Sequence, residues 1–89
     1  MFSNVMYVGE SWYYEFEVRP TEPDAAVLIT SASWELTDGE TTTTGDCVIE
    51  GACVKALVTP TDAGRYTLTV TVTVAPEVII NKTIINVRE

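Results

Sequence analysis

The sequence predicts an all-β fold, a Greek-key sandwich of about seven short antiparallel strands making one domain over residues 1–89. Three features carry that reading. Tyr66, Leu68, Val70, Val72 and Val74 alternate strictly with Thr67, Thr69, Thr71 and Thr73, the period-two pattern of a strand with one buried face. Thr and Val are both β-branched, so local preference agrees with the pattern. Turn signals such as Asp38-Gly39 and Gly51 recur between the other apolar segments, and no segment has a helical period.

Taken in order, Val5–Val8 is a first strand fragment ending at Gly9. Between Ser11 and Val18, the residues Trp12, Tyr14, Phe16 and Val18 share one face, with Tyr13, Glu15 and Glu17 on the other. Arg19–Asp24 holds two prolines and reads as a loop. Ala25–Thr30 is a short strand. In Ser33–Thr37, Trp34 and Leu36 point inward and Glu35 outward. Glu40–Gly45 is polar and reads as an exposed, mobile hairpin tip. Asp46–Glu50 and Cys53–Thr59 form a hairpin around Gly51. Ala75–Glu77 turns the chain into a last strand, Val78–Val87. There both faces carry apolar residues, so a bulge near Asn81-Lys82 is expected. The predicted core is Trp12, Tyr14, Phe16, Trp34, Leu36, Val58, Tyr66, Leu68, Val70 and Val72.

Composition narrows function. An apolar fraction of 46% is that of a folded chain. The formal charge of −8 disfavours nucleic acid and anionic membrane surfaces as partners. The opening Met1-Phe-Ser-Asn-Val-Met6 lacks a basic stretch and a long apolar run, so no signal peptide is expected. The chain has no histidine, the commonest general base and zinc ligand. Acid pairs such as Glu15 with Glu17 and Asp38 with Glu40 read as solubilising groups. Asp24, Asp38 and Asp46 lack the spacing of a calcium loop. No catalytic residue, metal ligand or cofactor is assigned. A three-residue hairpin loop would set Cys47 and Cys53 opposite each other, at Cα separations of about 4.5–5.5 Å that permit a disulfide. Two free thiols in a reducing compartment is the preferred alternative.

Asp62-Ala-Gly64-Arg-Tyr66 enters the long strand and resembles the tyrosine corner of immunoglobulin-like domains. The resemblance implies that Asp62, Gly64 and Tyr66 form a structural corner, with the Tyr66 hydroxyl on backbone near Thr61 or Asp62. Leu68 stands where antibody-type domains carry a cysteine, so their inter-sheet disulfide is absent.

The order of features extends the likeness. Gly9-Glu-Ser-Trp12 leads into an aromatic strand. Val27-Leu-Ile-Thr-Ser-Ala32 precedes the Trp34 strand, and Thr59-Pro-Thr-Asp62 precedes the corner. From Gly9 onward this resembles the small immunoglobulin-like modules of tailed phages and prophages, including the N-terminal module of baseplate upper proteins. The resemblance implies an immunoglobulin-like Greek-key β-sandwich. It also implies a non-enzymatic virion component, of tail, baseplate or head surface, that acts by protein–protein contact. Its partners would be other virion proteins, and further copies of itself on the particle. It would reside in the host bacterial cytoplasm during assembly and then in the virion. No receptor-binding or fibre region follows the module, which favours a small accessory part over a baseplate arm. Tyr13 and the tip Thr41, Thr42, Thr43 and Thr44 are the candidate contact residues. The alternative is a bacterial cell-surface or carbohydrate-binding module, for which Tyr13 is the exposed aromatic that could stack on a sugar.

Overall fold

The structure, a computed structural model, describes residues 3–18, 29–74 and 77–89. Among these residues the chain forms eight strands: β1 (Ser3–Tyr7), β2 (Trp12–Glu17), β3 (Ser31–Thr37), β4 (Thr42–Asp46), β5 (Val48–Glu50), β6 (Cys53–Val58), β7 (Gly64–Val74) and β8 (Glu77–Arg88). They make a five-stranded sheet, β1-β8-β7-β3-β4, and a three-stranded sheet, β2-β6-β5. The expected loop at Arg19–Asp24, most of the expected strand at Ala25–Thr30 and the turn at Ala75-Pro76 lie outside the described residues. Ile29 is buried, and Thr30 leads into β3 by donating its N–H to Thr73 O at 2.9 Å.

The two sheets face each other across one core. β6 contributes Val54, Ala56 and Val58, and β3 contributes Ala32 and Leu36. β7 supplies Tyr66, Leu68, Val70 and Val72, and β8 supplies Ile85 and Val87. Met6 of β1 is fully buried among them. Period two thus assigns the inward face of β7 correctly along its length.

Several expectations need correction. The strands are not all antiparallel, because β1 runs parallel to β8, with Ser3 opposite Ile84 and Tyr7 opposite Arg88. Alternation is the same read in either direction, so it carries no information about polarity. β8 has no bulge: its pairing with β7 runs unbroken from Gly64–Val87 to Val74–Glu77. β7 and β8 are 11 and 12 residues long, whereas β6, the central strand opposite, has 6. The short sheet leaves Asn81 exposed on the inward-facing side of β8, so a polar residue there needs no change of face. Val78 and Ile80 consequently remain on the outer face, each 60% exposed.

The core expectation also fails at four aromatic rings, three on β2 and one on β3. Trp12 is 43% exposed, and Tyr14, Phe16 and Trp34 are only partly buried against the core. Phasing placed these rings on the inward side, but β2 is an edge strand and Trp12 begins it, so its ring has fewer neighbours. The cysteines are not opposite each other. Asp46 ends β4 in the large sheet and Val48 opens β5 in the small one, so the chain changes sheets at Cys47. The β5–β6 hairpin closes through Gly51-Ala52, with Glu50 rather than Cys47 opposite Cys53. Both thiols are free.

Candidate interaction surface

The tyrosine corner fixes one end of the long strand. Tyr66 donates its hydroxyl to Asp62 O at 3.0 Å. Asp62 takes part through its backbone carbonyl. Gly64 has φ 151°, a value that residues with a side chain rarely adopt, which is what the corner requires of that position. Burial, then the charges of Asp38 and Asp62, push the Tyr66 hydroxyl pKa up, so it stays a neutral donor. A crevice of about 130 Å³ lies beside this bond, and Thr41, Thr43, Asp62 and Tyr66 all line it. Two of the candidate contact threonines therefore meet the corner.

The segment Thr41–Thr44 is not a hairpin tip. Thr42, Thr43 and Thr44 belong to β4, where they oppose Thr37, Leu36 and Glu35. Only Thr41 stays in the turn. That turn is shorter than expected and tightly bonded. The Asp38 carboxylate accepts the N–H of Glu40 at 2.9 Å and of Thr41 at 2.7 Å. The Gly39 N–H donates to Thr37 Oγ1 at 3.1 Å. The amides of Thr41 and then Glu40 hold the Asp38 carboxyl below its ordinary pKa. β-Branched threonines extend readily once this turn returns the chain alongside β3.

Gly45 is a position the sequence did not single out. It lies opposite Trp34 in the β3–β4 register. A Cβ there would come within 2.7 Å of the indole carbons, so the ring lies directly over the glycine. Here glycine is needed for space. The result is a half-buried indole at the border of the large sheet.

The outer face of the large sheet is hydroxyl-rich. Thr44, Glu35 and Thr69 form one cross-strand row, and Asp46, Ser33 and Thr71 the next. Together they line a concavity of about 440 Å³. On the adjoining strand Lys82 continues the first row and Ile80 the second. Alternation alone places Ser33 and Glu35 outward, but their neighbours follow only from strand order.

Tyr13 lies elsewhere, on the outer face of the small sheet. It is 59% exposed and directly opposite Leu57, which is 42% exposed. The next row carries Lys55, whose ammonium is 3.0 Å from Glu50 and 3.9 Å from Glu15. These carboxylates, Glu50 foremost, push the Lys55 pKa up. Of the three acids weighed as calcium ligands, Asp24 lies outside the described residues. Asp38 is committed to its turn, and Asp46 sits on β4. Among the described residues no group of three or more potential metal ligands gathers. The structure thus separates Tyr13 from the threonine segment by placing them on different sheets.

Neither a family model nor a curated protein matches the chain. Among solved structures, the crystal structure of an engineered protein is similar, with a TM-score of 0.73 at 20% identity. The likeness covers 98% of this chain and 18% of that one, so this chain spans under a fifth of its length. The fold is an all-β, immunoglobulin-like sandwich. At that identity the likeness speaks to fold alone. In the longer chain the same sandwich is one part of a larger polypeptide.

Proposed function

We propose that this immunoglobulin-like sandwich is a non-enzymatic structural module of a phage or prophage particle, acting by protein–protein contact. The observation that carries the reading is apolar exposure on both outer faces. Tyr13 pairs with Leu57 on one sheet, and Val78 and Ile80 stand out on the other. Such exposed apolar side chains on strand faces suit contact with other proteins. The order of sequence features from Gly9 onward supports the virion assignment. Partners are then other virion proteins. Further copies of the module can join on the particle, where repetition raises effective concentration.

A second reading is a carbohydrate-binding module at a bacterial surface. It draws on the concavity of about 440 Å³, with the hydroxyls of Ser33, Thr44, Thr69 and Thr71 beside the carboxylates of Glu35 and Asp46. Mass spectrometry of purified particles, with polysaccharide arrays probed by the isolated chain, separates the two. The chain is expected in particles. Its absence there, together with specific polysaccharide binding, would replace the first reading with the second.

A further inference from the structure

We propose that the edge of β4, unpaired among the described residues, is a strand-addition site for an extended, cationic polypeptide segment; this rests on the reading of the chain as a protein-contact module. Among the described residues β4 pairs with β3 alone and forms one border of the large sheet. Two bonds set the phase of its backbone. Cys47 N–H donates to Ala32 O at 3.0 Å, and Asp38 N–H donates to Thr41 O at 3.3 Å. Both fall on the β3–β4 register continued by one residue at each end. Hydrogen-bonded and non-bonded pairs alternate along an antiparallel ladder. Thr43 and Gly45 therefore turn their amides toward β3, and Thr42, Thr44 and Asp46 present N–H and C=O off the open edge.

The chemistry of the occupant follows from the same alternation. An antiparallel strand added here bonds through the residues opposite Thr42, Thr44 and Asp46, and these share the outer face. On that face stand Asp46 and, one strand further in, Glu35; β3, β4 and the turn between them contain no Lys or Arg. Lysine or arginine fits those positions of the incoming strand. Its intervening residues face inward beside Thr43 and Gly45. There the missing side chain of Gly45 leaves the Trp34 indole available, and an aliphatic residue fits. A second copy of this chain fits less well, since it would bring another −8 of charge to an acidic border.

The probe is a short, end-blocked peptide alternating lysine and valine, titrated into the full chain. Trp12→Phe leaves Trp34 as the sole tryptophan reporter. Saturable change in Trp34 emission is expected, weakening as salt rises. N-methylating the lysine amides should lower affinity at least about tenfold, because they face β4, whereas methylating the valine amides should leave it intact. Thr44→Pro removes an N–H that points off the sheet, so the fold is expected to survive while binding falls as far. If Thr44→Pro does not fold, the two methylated peptides decide alone. No Trp34 response, or equal effects of the two methylations, would overturn the site. Incorporation of Thr44→Pro into particles at the wild-type level would overturn it too, leaving the protein-contact reading in place. Absence of the wild-type chain from particles would overturn the virion reading while leaving the peptide result untouched.

Discussion

Two tyrosines on opposite sheets show how much the partner of a hydroxyl matters. Tyr66 reaches Asp62 O, whereas the Tyr14 hydroxyl is buried with no partner among the described residues. Removing the first breaks a part-buried hydrogen bond to the backbone of exposed Asp62, and removing the second relieves a buried hydroxyl with no partner among the described residues. Tyr66→Phe should therefore lower stability by about 0.5–1.5 kcal/mol. Tyr14→Phe should leave it unchanged or raise it by up to about 1 kcal/mol. Urea midpoints of both variants, measured against wild type, check the contrast, and a loss in Tyr14→Phe would contradict it. Gly45→Ala tests a different force. The added carbon drives against the indole at 2.7 Å, and overpacking of this kind costs about 1–3 kcal/mol. A shift of Trp34 emission in the native state should accompany that loss.

At the scale of elements, the β3–β4 turn responds to acid. The Asp38 carboxyl is held below its ordinary value of 3.8 by the backbone amides of Thr41 and Glu40. A depressed folded pKa stabilises above the unfolded value, and the contribution disappears as pH falls from there through the folded pKa. Stability should thus decline below about pH 4, and Asp38→Asn should remove part of that slope, since its amide does not titrate in this range. Denaturation midpoints of both proteins between neutral pH and about pH 2 measure the difference. Parallel slopes would remove Asp38 from the account. The β1 strand offers a second test. Met6 is fully buried, and it holds β1 onto the core beside β8. Met6→Ala should cost about 2–5 kcal/mol, a loss that a decorative terminal strand would not show.

For the whole molecule, both sheets draw on one core, so unfolding should be a single transition. In the Trp12→Phe variant, emission from Trp34 reports the large sheet, and far-UV circular dichroism reports all strands. The two curves are expected to coincide, and separated midpoints would show that the sheets unfold independently. Charge acts at the same scale. With a net charge of −8, association with cationic partners should weaken as ionic strength rises, whereas contacts built on Tyr13–Leu57 or Val78 and Ile80 should not.

Legible in the chain alone were the all-β class, the facing of β7 and the corner. Those are properties of neighbours in the chain: alternation, β-branching and a glycine two residues before a tyrosine. The inward set Leu68, Val70 and Val72 needed nothing more, and the resemblance to a tyrosine corner put the Tyr66 hydroxyl on backbone near Thr61 or Asp62, where it meets Asp62 O. Direction, strand order and the length of opposing sheets are not local, and no local pattern encodes them. Thr42–Thr44 looks like a polar tip until β3 is placed beside it, and Cys47 looks like a hairpin residue until the chain changes sheets there. β1 could be oriented only by its neighbour β8, and Trp12 lost its expected burial because it begins β2, an edge strand. A strand's side-chain period survives any pairing, but what each face and edge meets is decided by which strand lies alongside and which sheet lies opposite. The open β4 edge, the indole over Gly45 and the hydroxyl-lined concavity are therefore products of tertiary structure.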